Sequence, residues 1–171
     1  NFPTMNSAFN TTGTLSEGNL KSTATTSNFW WRPSTIAVQN GKWYCEVKLA
    51  AAGGGTSLVG IADLDDCVGY GVDDVHFGTT SITPNGRGYA WYSDDGKIYY
   101  NDTATAVFQE FAEGNILMMA MDLTNRKFYI GVDGTWANSG DPTSGATGTG
   151  SVINIATGGT WAFSDTTANS A

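Results

Sequence analysis

GKWYCEV, from Gly41 to Val47, and EGNILMMAMDLTNRKFYIGVDGTW, from Glu113 to Trp136, decide the class of this chain. In Lys42 to Leu49, Trp43, Cys45, Val47 and Leu49 fall on one face and Tyr44, Glu46 and Lys48 on the other. Period-two alternation of this kind is the pattern of a β-strand with one buried side. Ile116 to Leu123 (ILMMAMDL) is apolar on both faces. That fits a strand covered on each side, or one whose outer face, read here as Leu117, Met119 and Met121, meets a partner. Thr124 and Asn125 then turn the chain into Arg126 to Val132, where Phe128, Ile130 and Val132 alternate with Lys127, Tyr129 and Gly131. Asp133-Gly134 closes this hairpin with a step that favours positive φ.

The same reading extends outward. Thr56 to Ala62 (TSLVGIA) is continuously apolar, as a central strand should be, and RGYAWYS (Arg87 to Ser93) and KIYYN (Lys97 to Asn101) flank Asp94, Asp95 and Gly96 as a second antiparallel hairpin. Asn138 to Gly150 is a 13-residue stretch of small polar residues without a period, expected to be a surface loop with a function or with mobility. A last strand pair is expected around Ser151 to Ile155 and Thr160 to Phe163. Helical periodicity exceeds a turn nowhere. The reading is one all-β domain over residues 1–171, a two-sheet antiparallel β-sandwich.

Composition removes several function classes. A net charge of -8, with eight Lys and Arg scattered along 171 residues, offers no row of cations for a phosphate backbone, so nucleic acid is not an expected partner. No apolar run approaches the ~18 residues of a membrane-spanning helix, so membrane insertion is not expected. Cys45, mid-strand, and Cys67, in a Gly-rich stretch after an acidic run, make no disulfide framework. The chain begins at Asn1 without a Met and reads as part of a longer protein.

Gly41, Lys42, Trp43, Tyr44, Glu46 and Val47 match the motif that opens the core of SPRY domains, with Cys45 where that family often has Trp. Val59 to Ala62, Gly88 to Trp91 with the Asp95-Gly96 turn, and Glu113 to Ile116 followed by Met121-Asp122-Leu123 and Phe128-Tyr129-Ile130 resemble its later strands. The chain thus resembles a SPRY domain over roughly Ser34 to Val132. The opening Asn1 to Asn6, and Leu15 to Thr23 before Trp30-Trp31-Arg32, are similar to the lead-in of SPRY-like domains in bacteriophage virion proteins. The resemblance implies a concanavalin-like sandwich on a virion or extracellular surface. Its loops would bind virion subunits or a host receptor, without catalysis. It also implies one more strand at the end, which the sequence does not carry.

Contact candidates follow from aromatics and Arg near expected loop ends, the composition of interface hot spots. They are Trp31, Arg32, Tyr70, Tyr92 and Asp94, with Tyr89 and Trp91 beside them; alternation sends Trp43, Phe128 and about half of the other aromatics inward. The resemblance implies that Arg32 lies on the ligand-facing surface; the plain alternative is an ion pair. Asp63, Asp65 and Asp66, with Asp73 and Asp74, crowd into 12 residues and could ligate Ca²⁺, though without the Gly and distal Glu of an EF-hand, and no cofactor is otherwise expected. No strand carries the carboxylate pair of a glycosidase and His76 stands outside any nucleophile motif, so no enzyme is expected. The alternative function is a secreted carbohydrate-binding module or lectin using Trp31, Tyr92 and the acidic loop. The apolar face and low charge density predict a homo-oligomer or a place in a larger assembly.

Overall fold

How many faces a run can bury decides where its strand sits. The computed structural model describes residues 3–9, 13–23, 30–50, 56–67, 88–101 and 103–167. Their strands are β1 (Thr14–Ser16), β2 (Lys21–Thr23), β3 (Trp30–Pro33), β4 (Lys42–Lys48), β5 (Ser57–Asp63), β6 (Gly88–Tyr92) and β7 (Lys97–Tyr100). The chain continues with β8 (Thr103–Val107), β9 (Ile116–Asp122), β10 (Lys127–Val132), β11 (Thr135–Trp136), β12 (Ile153–Asn154) and β13 (Trp161–Thr167). One helical turn, Leu64–Cys67, follows β5.

Among the described residues every strand pairing is antiparallel. A larger sheet runs in the order β3-β13-β5-β6-β7-β8, a smaller one β11-β10-β9-β4 with β12 also beside β10, and β1-β2 stands as a separate hairpin. The continuously apolar β5 is buried along its whole length between β13 and β6, and β9, apolar on both faces, lies between β10 and β4. Between the sheets, Ile61, Trp91, Ile98 and Trp161 of the larger meet Leu117, Met119, Met121, Phe128 and Ile130 of the smaller. The architecture is the expected β-sandwich.

Three expectations about the strands need correction. Leu117, Met119 and Met121 do not form an outer face: they point into the core opposite Val47, Cys45 and Trp43, and the outer face of β9 carries Met118, Ala120 and Asp122. The assignment failed because both faces of β9 are apolar, so alternation alone could not orient it. Second, β12 and β13 do not pair with each other. The first joins β10 and the second β5 and β3, because Ala156 to Thr160 carries the chain from one sheet to the other, with Ile155 and Trp161 buried between. Third, the two Asp-Gly turns differ. At the end of β10, Asp133 (φ 48°) and Gly134 (φ 83°) both take positive φ, as a two-residue hairpin requires, whereas in the β6–β7 turn Gly96 does so and Asp95 does not. There the Asp95 carboxylate shapes the turn by accepting from the Lys97 amide (3.0 Å) and the Tyr99 hydroxyl (2.8 Å).

The 138–150 stretch is a surface loop as expected, but an internally bonded one. The Asp141 amide donates a hydrogen bond to Thr149 O (2.9 Å), the Ser144 amide donates to Asp141 O (3.0 Å), and Ser144 Oγ accepts from the Thr149 amide (2.9 Å). It folds back onto the smaller sheet, where Tyr129 Oη lies 3.3 Å from Ser144 Oγ.

Candidate functional site

The outer face of the smaller sheet holds a groove built from the register. One cross-strand row is Tyr44, Ala120 and Tyr129, in which a methyl group stands between two tyrosines and leaves a depression. The next row runs from Met118 through Gly131 to Trp136. Gly131 is needed there, since a Cβ would meet Thr135 O at 2.6 Å and Met118 Cε at 2.9 Å. The missing side chain lets β11 close against β10 and brings Trp136 over the sheet. Its ring lies edge-on to Tyr44 (6.1 Å) and to Tyr129 (6.5 Å). Pro142 and Thr143 of the 138–150 loop wall one side, and Lys42, 3.3 Å from Asp122, closes an end. The groove encloses about 360 Å³, within the range of small-ligand and side-chain pockets.

Polar groups at the groove are largely engaged already. Asp122 Oδ1 accepts from the Asn125 amide (2.9 Å) and Oδ2 from Asn125 Nδ2 (2.8 Å). Burial raises this carboxyl, but the Asn125 and Lys42 hydrogen bonds outweigh burial and hold it below the usual carboxylate range. Thr143 Oγ1 donates to Asp141 Oδ1 (2.6 Å). What the groove offers a ligand is aromatic and apolar surface. Tyr44, 53% exposed, stands at its open side, while the side chain of its neighbour Trp43, 42% exposed, projects from the opposite face of the sheet. Trp43 does share a face with the core residues of β4, yet the sheet ends there and leaves the indole half in solvent, its Nε1 donating to Asn40 O (2.7 Å).

The residues singled out from sequence fall elsewhere. Arg32 is not on a contact surface: it is 0% exposed, its Nη1 donates to Ser22 Oγ (2.6 Å) and lies 4.0 Å from Asp165 Oδ2. The plain ion-pair reading is the correct one, because β3 pairs with β13 and sets Arg32 opposite Asp165. Burial pushes the Asp165 carboxyl up to about 6 against the opposing pull of Arg32 and Ser22. Trp31 pairs with Thr166 through its backbone; its side chain, Tyr70, His76, Asp73, Asp74 and the Asp66 and Cys67 side chains lie outside the described residues. Tyr92 is half-buried on the outer face of the larger sheet, edge-on to Tyr99 (5.7 Å). Asp94 is exposed in the turn and bonded to Thr56 Oγ1 (3.0 Å) and Ser93 Oγ (2.7 Å). Tyr89 and Trp91 are core: Tyr89 stacks between Tyr100 (4.8 Å) and Trp161 (5.6 Å), and Trp91 donates to Gln109 O (2.6 Å). The structure therefore leaves Tyr92 and Asp94 together and separates them from Arg32.

Of the calcium candidates, Asp63 is buried, and its Oδ1 accepts from the amides of Thr160 (2.8 Å) and Asp65 (3.1 Å). Asp65 Oδ2 accepts from Thr160 Oγ1 (2.9 Å). These carboxylates tie the helical turn to the start of β13, and among the described residues no three His, Cys, Asp or Glu side chains converge. Cys45 is free, and burial, then Glu46, pushes its thiol up to about 12, which leaves it unreactive.

The groove was missed because its makers are ordinary in isolation. Tyr44 read as the polar side of a strand, and Ala120 and Trp136 drew no reading of their own. Only register brings them together.

No family model and no curated protein matches this sequence. Among solved structures, the SPRY domain of human HERC1 is similar, with a TM-score of 0.61 and 14% identity over 88% of this chain and 80% of that one. Likeness at that identity speaks for the fold, and the fold agrees with the resemblance in the opening motif: this chain has the SPRY-type, concanavalin-like β-sandwich.

Proposed function

We propose that this chain is a non-enzymatic protein-binding module whose contact site is the aromatic groove of the smaller sheet. The observation that carries the reading is the ring of Tyr44, Tyr129 and Trp136 around Ala120, with Pro142 as a wall. A rigid apolar depression flanked by Trp and Tyr suits an apolar peptide side chain, and such rings are the residues that dominate binding energy. A glycan, the rival ligand, would also stack on the rings. It would further need free hydrogen-bonding groups beside them, and Asp122 and Thr143 are already paired within the protein. The similarity to the SPRY domain of human HERC1 supports an interaction scaffold by analogy of fold.

The finer placement is a bacteriophage virion protein at the virion surface, contacting other subunits or a host receptor. Its support is the resemblance of Asn1 to Asn6 and Leu15 to Thr23 to phage SPRY-like lead-ins. A parent gene outside any virion gene cluster would overturn that placement.

The binding claim is tested with a random-peptide display library selected on the intact chain. Selected peptides should be enriched in apolar anchors, and Trp136→Ala should weaken them by about 2 kcal/mol, roughly thirtyfold. Tyr92→Ala should leave them unchanged. Peptides that ignore Trp136→Ala, or glycan-array binding with no peptide selected, would refute it.

A further inference from the structure

β4 forms its ladder with β9 on one side, and among the described residues no strand pairs with its other edge. An open edge is a template for another strand, and proteins that avoid such pairing shorten, twist or charge it. This one is charged, but with both signs; it is seven residues long and presents Trp43 and Tyr44 half-exposed. Its outward face reads Lys42, Tyr44, Glu46, Lys48, all exposed.

We propose that a second copy of this chain pairs with β4 edge to edge, antiparallel, about a two-fold axis through Tyr44. The charges choose the register. Centring on Cys45 pairs the strand along its full length but sets Lys42 opposite the second copy's Lys48 twice, a like-charge arrangement that destabilises. Centring on Tyr44 sets Lys42 opposite the second copy's Glu46 and Glu46 opposite its Lys42, with Tyr44 against Tyr44. Directly opposed residues lie ~5 Å apart, within reach of both ion pairs. Centring on Val47 also opposes Glu46 and Lys48, yet leaves Trp43 and Tyr44 outside the paired segment, so the exposed rings decide for Tyr44. On the inner face the chosen register brings Trp43 opposite Cys45 and covers the indole. The two smaller sheets become one continuous sheet with a groove on each side of the axis, and such an isologous contact closes at two copies.

Sedimentation velocity of the intact chain over a concentration series tests this. The expected result is a monomer–dimer equilibrium that Glu46→Lys weakens roughly tenfold or more, as does Lys42→Glu. An equimolar mixture of the two variants should dimerise again, since each Lys then faces a Glu. Trp136→Ala, which removes the groove wall, should dimerise like the parent, so that failure of the groove reading and failure of this one are told apart. Lys42 also serves Asp122, so if Lys42→Glu melts early, Glu46→Lys carries the result alone. A monomer at every concentration, a dimer indifferent to Glu46→Lys, or folded variants that stay apart when mixed would each overturn the proposal; the last two would point to a different register or a different surface.

Discussion

Arg32 and Asp165 show how a residue pattern is misread when only its neighbours in sequence are visible. An Arg after two tryptophans has the composition of a contact site, but its strand faces β13, more than a hundred residues on, and its guanidinium ends in the interior. Nothing local signals that partner. The pair has a pH signature. Because the folded-state carboxyl of Asp165 sits near 6 and its ordinary value is 3.8, the folded protein holds this proton more tightly than the unfolded chain. That contribution is fully present below about pH 4 and is lost as pH rises through 6. At ~1.4 kcal/mol per pH unit, over about two units, the loss is on the order of 3 kcal/mol. Urea unfolding of the parent and of Asp165→Asn between pH 4 and 7 should show the parent losing stability relative to the variant as pH rises. Parallel pH curves would contradict the assignment.

Elements were legible wherever a single period held. The faces of β4, the alternation of β10 and the positions of both Asp-Gly turns could be read directly, because a half-buried strand writes its inside and outside into alternate residues, but the backbone of the Asp95-Gly96 turn could not. β9 could be located but not oriented, since neither of its faces is polar. The 138–150 loop was legible as a loop and illegible as a structure: runs of Ser, Thr, Gly and Asn form bonds that composition does not encode. Its amides on Gly140, Asp141, Ser144 and Gly148 each bond a backbone carbonyl. Hydrogen exchange at these four should therefore be slowed at least tenfold relative to unstructured peptide. Exchange at the free-peptide rate would mean that the groove lacks its loop wall.

At the scale of the molecule, the fold depends on joining the ends of the sequence. β13 is an interior strand, bonded to β5 along seven residue pairs and to β3 along four. It also delivers Trp161 to the core and Asp165 to Arg32. Both sheets were foreseeable from strand count and patterning; that the last strand fills the middle of one was not, because long-range order leaves no periodic trace. A chain ended after Thr160 should therefore show no cooperative thermal transition, and a sharp melt from that truncation would show β13 to be an accessory.

The groove is the central claim, since the fold alone suits many functions. The most direct measurement is a backbone-amide NMR titration of the intact chain with a peptide selected from the display library. Shift changes confined to Lys42 to Glu46, Met118 to Asp122, and Tyr129 with Trp136 to Thr143 are the predicted result. Changes centred instead on the Tyr92 to Asp94 turn, or on the β1–β2 hairpin, would contradict it.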